Sequence, residues 1–190
     1  NFAAGVNAGN SIASGGNYNV TVGDEAGTAI TTGDSNTAVG YGSLKTHTTA
    51  SNNTAIGYLA GEDNTSGTIT AVGAFALGNN TTGTSNVGIG GYDGTTPAAL
   101  RENTTGSQNT AVGVGALDKN TTADSNTAVG YQAGLSNTTG TELTAIGFKS
   151  GRSNTTGTSS TAIGFQALYS TTTGNSNNAF GSGALYNNTT

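Results

Sequence analysis

One hexapeptide restricts what this chain can fold into. Asn36-Thr37-Ala38-Val39-Gly40-Tyr41 returns as Asn53-Thr54-Ala55-Ile56-Gly57-Tyr58, as Asn109-Thr110-Ala111-Val112-Gly113-Val114 and as Asn126-Thr127-Ala128-Val129-Gly130-Tyr131. With looser copies included, its glycine recurs at Gly5, Gly23, Gly40, Gly57, Gly73, Gly90, Gly113, Gly130, Gly147, Gly164 and Gly181, and seven of the ten intervals are 17 residues. A period in the high teens is too short for paired-helix or propeller repeats. It suits one turn of a solenoid in which every turn adds a short strand to a parallel sheet.

The unit itself reads as a strand. Thr37, Val39 and Tyr41 fall on one face and Ala38 and Gly40 on the other, so one face is bulky and one flat. Val and Ile favour the pleated state, and the flanking Asn and Gly limit each strand to about four or five residues. Four residues past the marker, Leu44, Leu77, Leu117, Leu168 and Leu185 alternate irregularly with Gly9, Gly27, Gly61, Gly94, Gly134 and Gly151. Linkers such as Asn80-Thr81-Thr82-Gly83 and Asn137-Thr138-Thr139-Gly140 are rich in turn residues. The fold class predicted is all-β, a β-solenoid or β-roll of about eleven 17-residue rungs, forming a rod roughly 50 Å long at about 4.8 Å per rung.

Composition argues that such a rod does not stand alone. Gly, Thr, Ala, Asn and Ser supply 133 of the 190 residues, while Leu, Ile, Val and Phe supply 30. So few apolar side chains per turn do not offset the conformational entropy of ordering it. Rung-to-rung hydrogen bonds recover part of the deficit, and disulfides recover none, because the chain has no Cys. Several copies packed side by side would share a core, and a homotrimer is the assembly expected. The array covers 1–190 as a single domain, and it opens and stops within the pattern, which reads as a window on a longer fibre. The unit between Gly90 and Gly113 is six residues longer than the rest. There, residues 93–102 form a loop insertion in which Thr96-Pro97-Ala98-Ala99-Leu100 predicts a short helical turn.

Several functions are disfavoured at once. A net charge of −5 with five Lys and Arg argues against nucleic acid as a partner. No apolar run reaches the roughly 18 residues of a membrane helix, so membrane insertion is not expected. Catalysis has little to draw on: the one His, His47, sits in a Thr-rich linker and reads as solvated. The carboxylates come singly or as the adjacent pairs Asp24-Glu25 and Glu62-Asp63, outside any Ca²⁺-loop spacing. No enzyme activity, metal or cofactor is expected.

The motif Asn-Thr-Ala-Val-Gly-Tyr resembles the repeats of trimeric autotransporter adhesin heads and, more closely, those of bacteriophage tail fibres and related surface fibres. The resemblance covers nearly the whole chain. It implies a trimeric left-handed β-roll without enzymatic activity, presented outside the cell, on its surface or on a virion, and used for attachment or as a shaft. Thr37, Thr54, Thr110 and Thr127 stand where the adhesin repeat carries Val, which implies a smaller, more polar core.

Two sets of residues are candidate sites. Tyr41, Tyr58, Tyr131, Phe148 and Phe165 recur at one place in successive turns and should form a stripe, which either shields the core edge or holds sugar rings. Asn80, Asn103, Asn120, Asn137, Asn154 and Asn188 are Asn-x-Thr sequons on expected surface turns. They read either as N-glycosylation sites or as plain turn formers. The function expected is therefore a structural segment of an extracellular or virion fibre serving attachment to a cell-surface glycan or receptor. The alternatives are a glycan-binding module using the aromatic stripe and a self-assembling, glycosylated filament subunit.

Overall fold

The computed structural model describes every residue except Ala13, Ser14 and Thr190. Eleven strands, β1 (Phe2–Ala4), β2 (Val20–Val22), β3 (Thr37–Val39), β4 (Thr54–Ile56), β5 (Ile69–Val72), β6 (Asn86–Ile89), β7 (Thr110–Val112), β8 (Thr127–Val129), β9 (Thr144–Ile146), β10 (Thr161–Ile163) and β11 (Asn178–Phe180), build one parallel sheet. Their order in space is their order in the chain. The register holds from turn to turn: Thr37 faces Thr54 and Thr54 faces Thr70, and Thr110, Thr127, Thr144 and Thr161 form another unbroken column. The chain is an all-β solenoid of about ten turns.

Each strand ends where its marker glycine turns the chain. Gly40 sits at φ 123, and a Cβ added there would lie 2.5 Å from the carbonyl oxygen of Gly57 in the next turn. Only glycine meets both demands, so the column of markers is also a column of close backbone contact.

The flat strand face points inward. Ala38, Ala55, Ala71, Ala111, Ala128 and Ala145 are fully buried, while the Thr and Val or Ile columns look outward. The inner wall is completed by a turn that carries a second Ala column and the Leu positions, including Ala76–Leu77 and Ala116–Leu117. These residues make one continuous core from Ala26 to Ala145. Leu44, Leu77, Leu117 and Leu168 all lie at φ near 50, a left-handed conformation unfavourable for a branched side chain unless burial compensates.

That conformation explains the irregular exchange of Leu and Gly. A turn that carries Gly there borrows volume from its neighbours. A Cβ on Gly61 would meet Ile69 at 2.7 Å and Leu44 at 3.3 Å, and one on Gly134 would meet Leu117 at 3.0 Å and Leu143 at 3.2 Å.

The insertion differs from expectation. No helical turn forms within 93–102; Ala99 and Leu100 instead resume the standard turn. Ala99 N donates to Gly90 O at 2.9 Å, the bond that Ala116 N makes to Gly113 O in the next unit. Leu100 takes φ 51, which ends any right-handed helix, and its N–H is committed to Ala116 O at 3.0 Å. Leu100, not Gly94, therefore occupies the Leu position of this turn, and the extra residues form a loop over 91–98.

Candidate functional site

The other half of the interior is made of amides. In one ladder, Oδ1 of Asn36 accepts from the backbone N–H of Asn53 at 3.0 Å, Asn53 from Ile69 at 2.7 Å, and Asn126 from Leu143 at 2.8 Å. A second ladder joins side chain to side chain. Nδ2 of Asn80 donates to Asn64 Oδ1 at 2.9 Å, Asn103 to Asn80 at 2.7 Å, Asn137 to Asn120 at 3.1 Å and Asn154 to Asn137 at 2.8 Å. The other Nδ2 hydrogen goes to a carbonyl three residues on, as in Asn137 to Gly140 at 2.8 Å.

Asparagines of the expected glycosylation sites belong to this second ladder. Asn80, Asn103, Asn120, Asn137 and Asn154 are the sequon asparagines, and all are buried, with their Nδ2 atoms spent inside the rod. The turns are at the surface, but their asparagines close inward, so the folded chain offers no amide at these five positions. Asn188 is half-buried and donates to Asn177 Oδ1 at 3.1 Å.

His47 belongs to the same ladder, contrary to the solvated reading. It is fully buried one turn before Asn64. Its Nε2 lies 2.7 Å from Ala50 O, three residues on, and its Nδ1 lies 3.2 Å from Asn64 Nδ2. These partners assign the proton to Nε2. The imidazole thus reproduces an asparagine, with a donor to its own turn and an acceptor for the next, and burial lowers its pKa. Asp118 is the second buried ionisable group. Neither carboxylate oxygen has a hydrogen-bond partner, Lys119 Nζ lies 3.5 Å from Oδ2, and burial raises the pKa to about 6.

The aromatic residues do come together, in two runs. Tyr41 stacks on Tyr58 at 5.5 Å, and Tyr131, Phe148 and Phe165 stack at 5.5 and 5.3 Å with interplanar angles of 12° and 8°. They are 36–52% exposed. Parallel rings at these separations overlap as offset plates, and each covers part of its neighbour's face. The first run continues through residues that the sequence reading did not single out. Phe75 stands at 73° to Tyr58, and Tyr92 at 87° to Phe75 with centroids 6.2 Å apart. The guanidinium of Arg101 lies 5.5 Å from the Phe75 ring centre, and Phe75, Tyr92 and Arg101 line a cavity of about 190 Å³. The signal available in sequence was the long unit itself, which brings Tyr92.

The described residues include no group of three His, Asp or Glu placed to hold a metal ion. No described helix is long and apolar enough to cross a membrane. No family model, curated protein or solved structure matches the chain.

Proposed function

We propose that the chain is a structural segment of a fibre presented outside the cell or on a virion, in which three copies pack side by side and together serve attachment to a surface. The observation that carries this reading is the outward face of the sheet. Ile56, Ile89, Val129 and Ile146 are 37–41% exposed in a single in-register column, bordered by the Thr column and by the aromatic runs. None of these positions is charged. With the exposed rings of Tyr41, Tyr58, Tyr131, Phe148 and Phe165, this strip presents the apolar and aromatic surface that the buried centre of an interface is made of. A second copy has the same repeat and matches the strip at every rung. The likeness of the motif to surface-fibre repeats supports the same reading.

Native mass by light scattering, beside denatured mass spectrometry of the same sample, tests the assembly. A particle of three chains is expected. A stable monomer at micromolar concentration would overturn it, and an open series of sizes would favour the self-assembling filament.

The exposure of the rings favours a second reading, glycan binding by the stripe. Sugars stack on ring faces, however, and within the two runs those faces are partly covered. The reading is strongest where the stack breaks.

A further inference from the structure

The stack breaks at the insertion, and an unspent cation stands there. Of the five basic side chains, Lys45 pairs with Glu25 at 2.7 Å and Lys119 with Glu102 at 2.5 Å, while Lys149, whose ammonium has no hydrogen bond or ion pair among the described residues, lies 4.9 Å from the Phe148 ring centre within the stacked run. Arg152 donates through Nε to Gln132 at 3.2 Å. The guanidinium of Arg101 makes no hydrogen bond or ion pair among the described residues. Its neighbour Glu102 is taken by Lys119, and Asp118, the anion whose charge Arg101 opposes, is buried. Its guanidinium rests on the ring of Phe75 with its donors free.

The walls around it are fixed. Tyr92 Oη donates to Gly94 O at 2.7 Å. Oδ1 of Asp93 accepts from Thr95 N at 2.9 Å, Thr95 Oγ1 at 2.9 Å and Thr96 N at 2.6 Å. Thr96 Oγ1 lies 2.8 Å from Tyr131 Oη, which ties the loop to the second aromatic run. The two rings stand at 87°, so unlike their stacked counterparts they form a corner. The hollow they line is about 190 Å³ and opens to solvent on the side of the rod.

We propose that the corner formed by Phe75, Tyr92 and Arg101 binds one acidic sugar residue, a pyranose bearing a carboxylate, on the side of the rod. A planar guanidinium pairs with a carboxylate through two parallel N–H bonds, which a neutral sugar cannot accept. The C–H face of the pyranose meets an aromatic face. Because the loop is already held by its own hydrogen bonds, little further ordering is needed on binding. This inference rests on the attachment reading for the source of the sugar, and it assigns that attachment to a single place in the array.

The test is titration of the purified chain with sodium glucuronate, followed by saturation-transfer NMR and calorimetry, with glucose and benzoate as controls. Glucuronate is expected to bind at least tenfold more tightly than either control, with saturation transferred from aromatic protons. Arg101→Gln and Tyr92→Ala should each weaken it at least tenfold, while Phe165→Ala, at the far end of the other run, should leave it unchanged. Circular dichroism checks that each variant folds, and Arg101→Lys, which keeps the charge and loses the fork, covers the case in which Arg101→Gln does not. Equal binding of glucose would overturn the role of Arg101, equal binding of benzoate would overturn the sugar, and no binding of glucuronate would overturn the site. None of these results alters the number of chains in the particle, so failure here is distinguishable from failure of the fibre reading.

Discussion

Asn120 Nδ2 donates to Asn103 Oδ1 at 2.8 Å, one full turn away along the rod, and also to Ala123 O of its own turn at 3.0 Å. One side chain thereby closes its linker and fastens it to the turn before. Asn120→Ala would leave Asn103 Oδ1, Ala123 O and Asn137 Nδ2 without these partners in a buried place. A loss of about 2–4 kcal/mol is expected in urea unfolding. Thr122→Ala, two residues along on the exposed side of the same linker, should cost less than about 0.5 kcal/mol. Equal costs would mean that the ladder contributes nothing.

His47 makes the same ladder sensitive to acid. Burial holds its folded pKa below the ordinary 6.5. Above that pH, both folded and unfolded chains carry it neutral. As the pH falls through the unfolded value, the unfolded chain takes up the proton first, and stability is lost towards the lower, folded value. His47→Asn keeps the donor to Ala50 and the acceptor for Asn64. The difference in stability between the variant and the native chain should therefore grow in the variant's favour from pH 7 to pH 5. A constant difference would place His47 in contact with water.

Asp118 has the opposite sign. Its folded pKa of about 6 lies above the ordinary 3.8, so its contribution is full below 3.8 and is lost as the pH rises through about 6. At pH 7, the chain holds a buried carboxylate with no hydrogen-bond partner and only the Lys119 ammonium, 3.5 Å away, to offset its charge. Asp118→Asn should raise stability at pH 7 by up to roughly 2–3 kcal/mol and have little effect at pH 4. Unfolding curves at the two pH values check this, and an equal effect at both would refute it.

The period and the parallel sheet were legible because an in-register solenoid requires each column to repeat, and Thr37, Thr54 and Thr70 do so, whereas which strand face turns inward was not. Nor was what one turn owes to the next. Gly61 is understood only from Ile69 and Leu44, which fill the space its side chain would need. Asn80 and Thr82 both read as surface linker, yet one closes inward and the other faces water, a difference set by the turn and not by residue type. Gly94 lies four residues past Gly90, the count that should mark the Leu position. The bond from Ala99 N to Gly90 O gives that place to Leu100. The aromatic stripe and its stacking were legible as a recurring column, but the break at Phe75 and Tyr92 was not, because only the ring angles tell a covered face from an open one.

Two glycines separate close backbone contact from mere turn formation. At Gly130, φ is 134 and an added Cβ would lie 2.5 Å from Gly147 O, backbone that cannot yield without opening the sheet. Gly130→Ala should cost at least about 3 kcal/mol or prevent folding. At Gly94, φ is 98 but nothing lies within 4 Å. Gly94→Ala should cost only the local strain, about 1–2 kcal/mol. Thermal unfolding of the two variants checks the order, and equal costs would show that the neighbouring turn gives way.

Ala145 and Ile146 are consecutive residues of β9 that face opposite ways, Ala145 fully buried and Ile146 38% exposed. Lysine at Ala145 would place a charge in the core, and the chain should not fold. Lysine at Ile146 meets only water in a single chain, so Ile146→Lys should fold with a urea midpoint close to that of the native chain. In the side-by-side assembly, however, the same ammonium would be desolvated against other copies with no carboxylate on the apolar strip to meet it. Light scattering should therefore show the Ile146→Lys particle falling to the mass of one chain while its circular dichroism is unchanged. If the particle keeps its mass, the outward sheet face is not where copies meet, and the apolar strip would have to be covered by something other than a second copy.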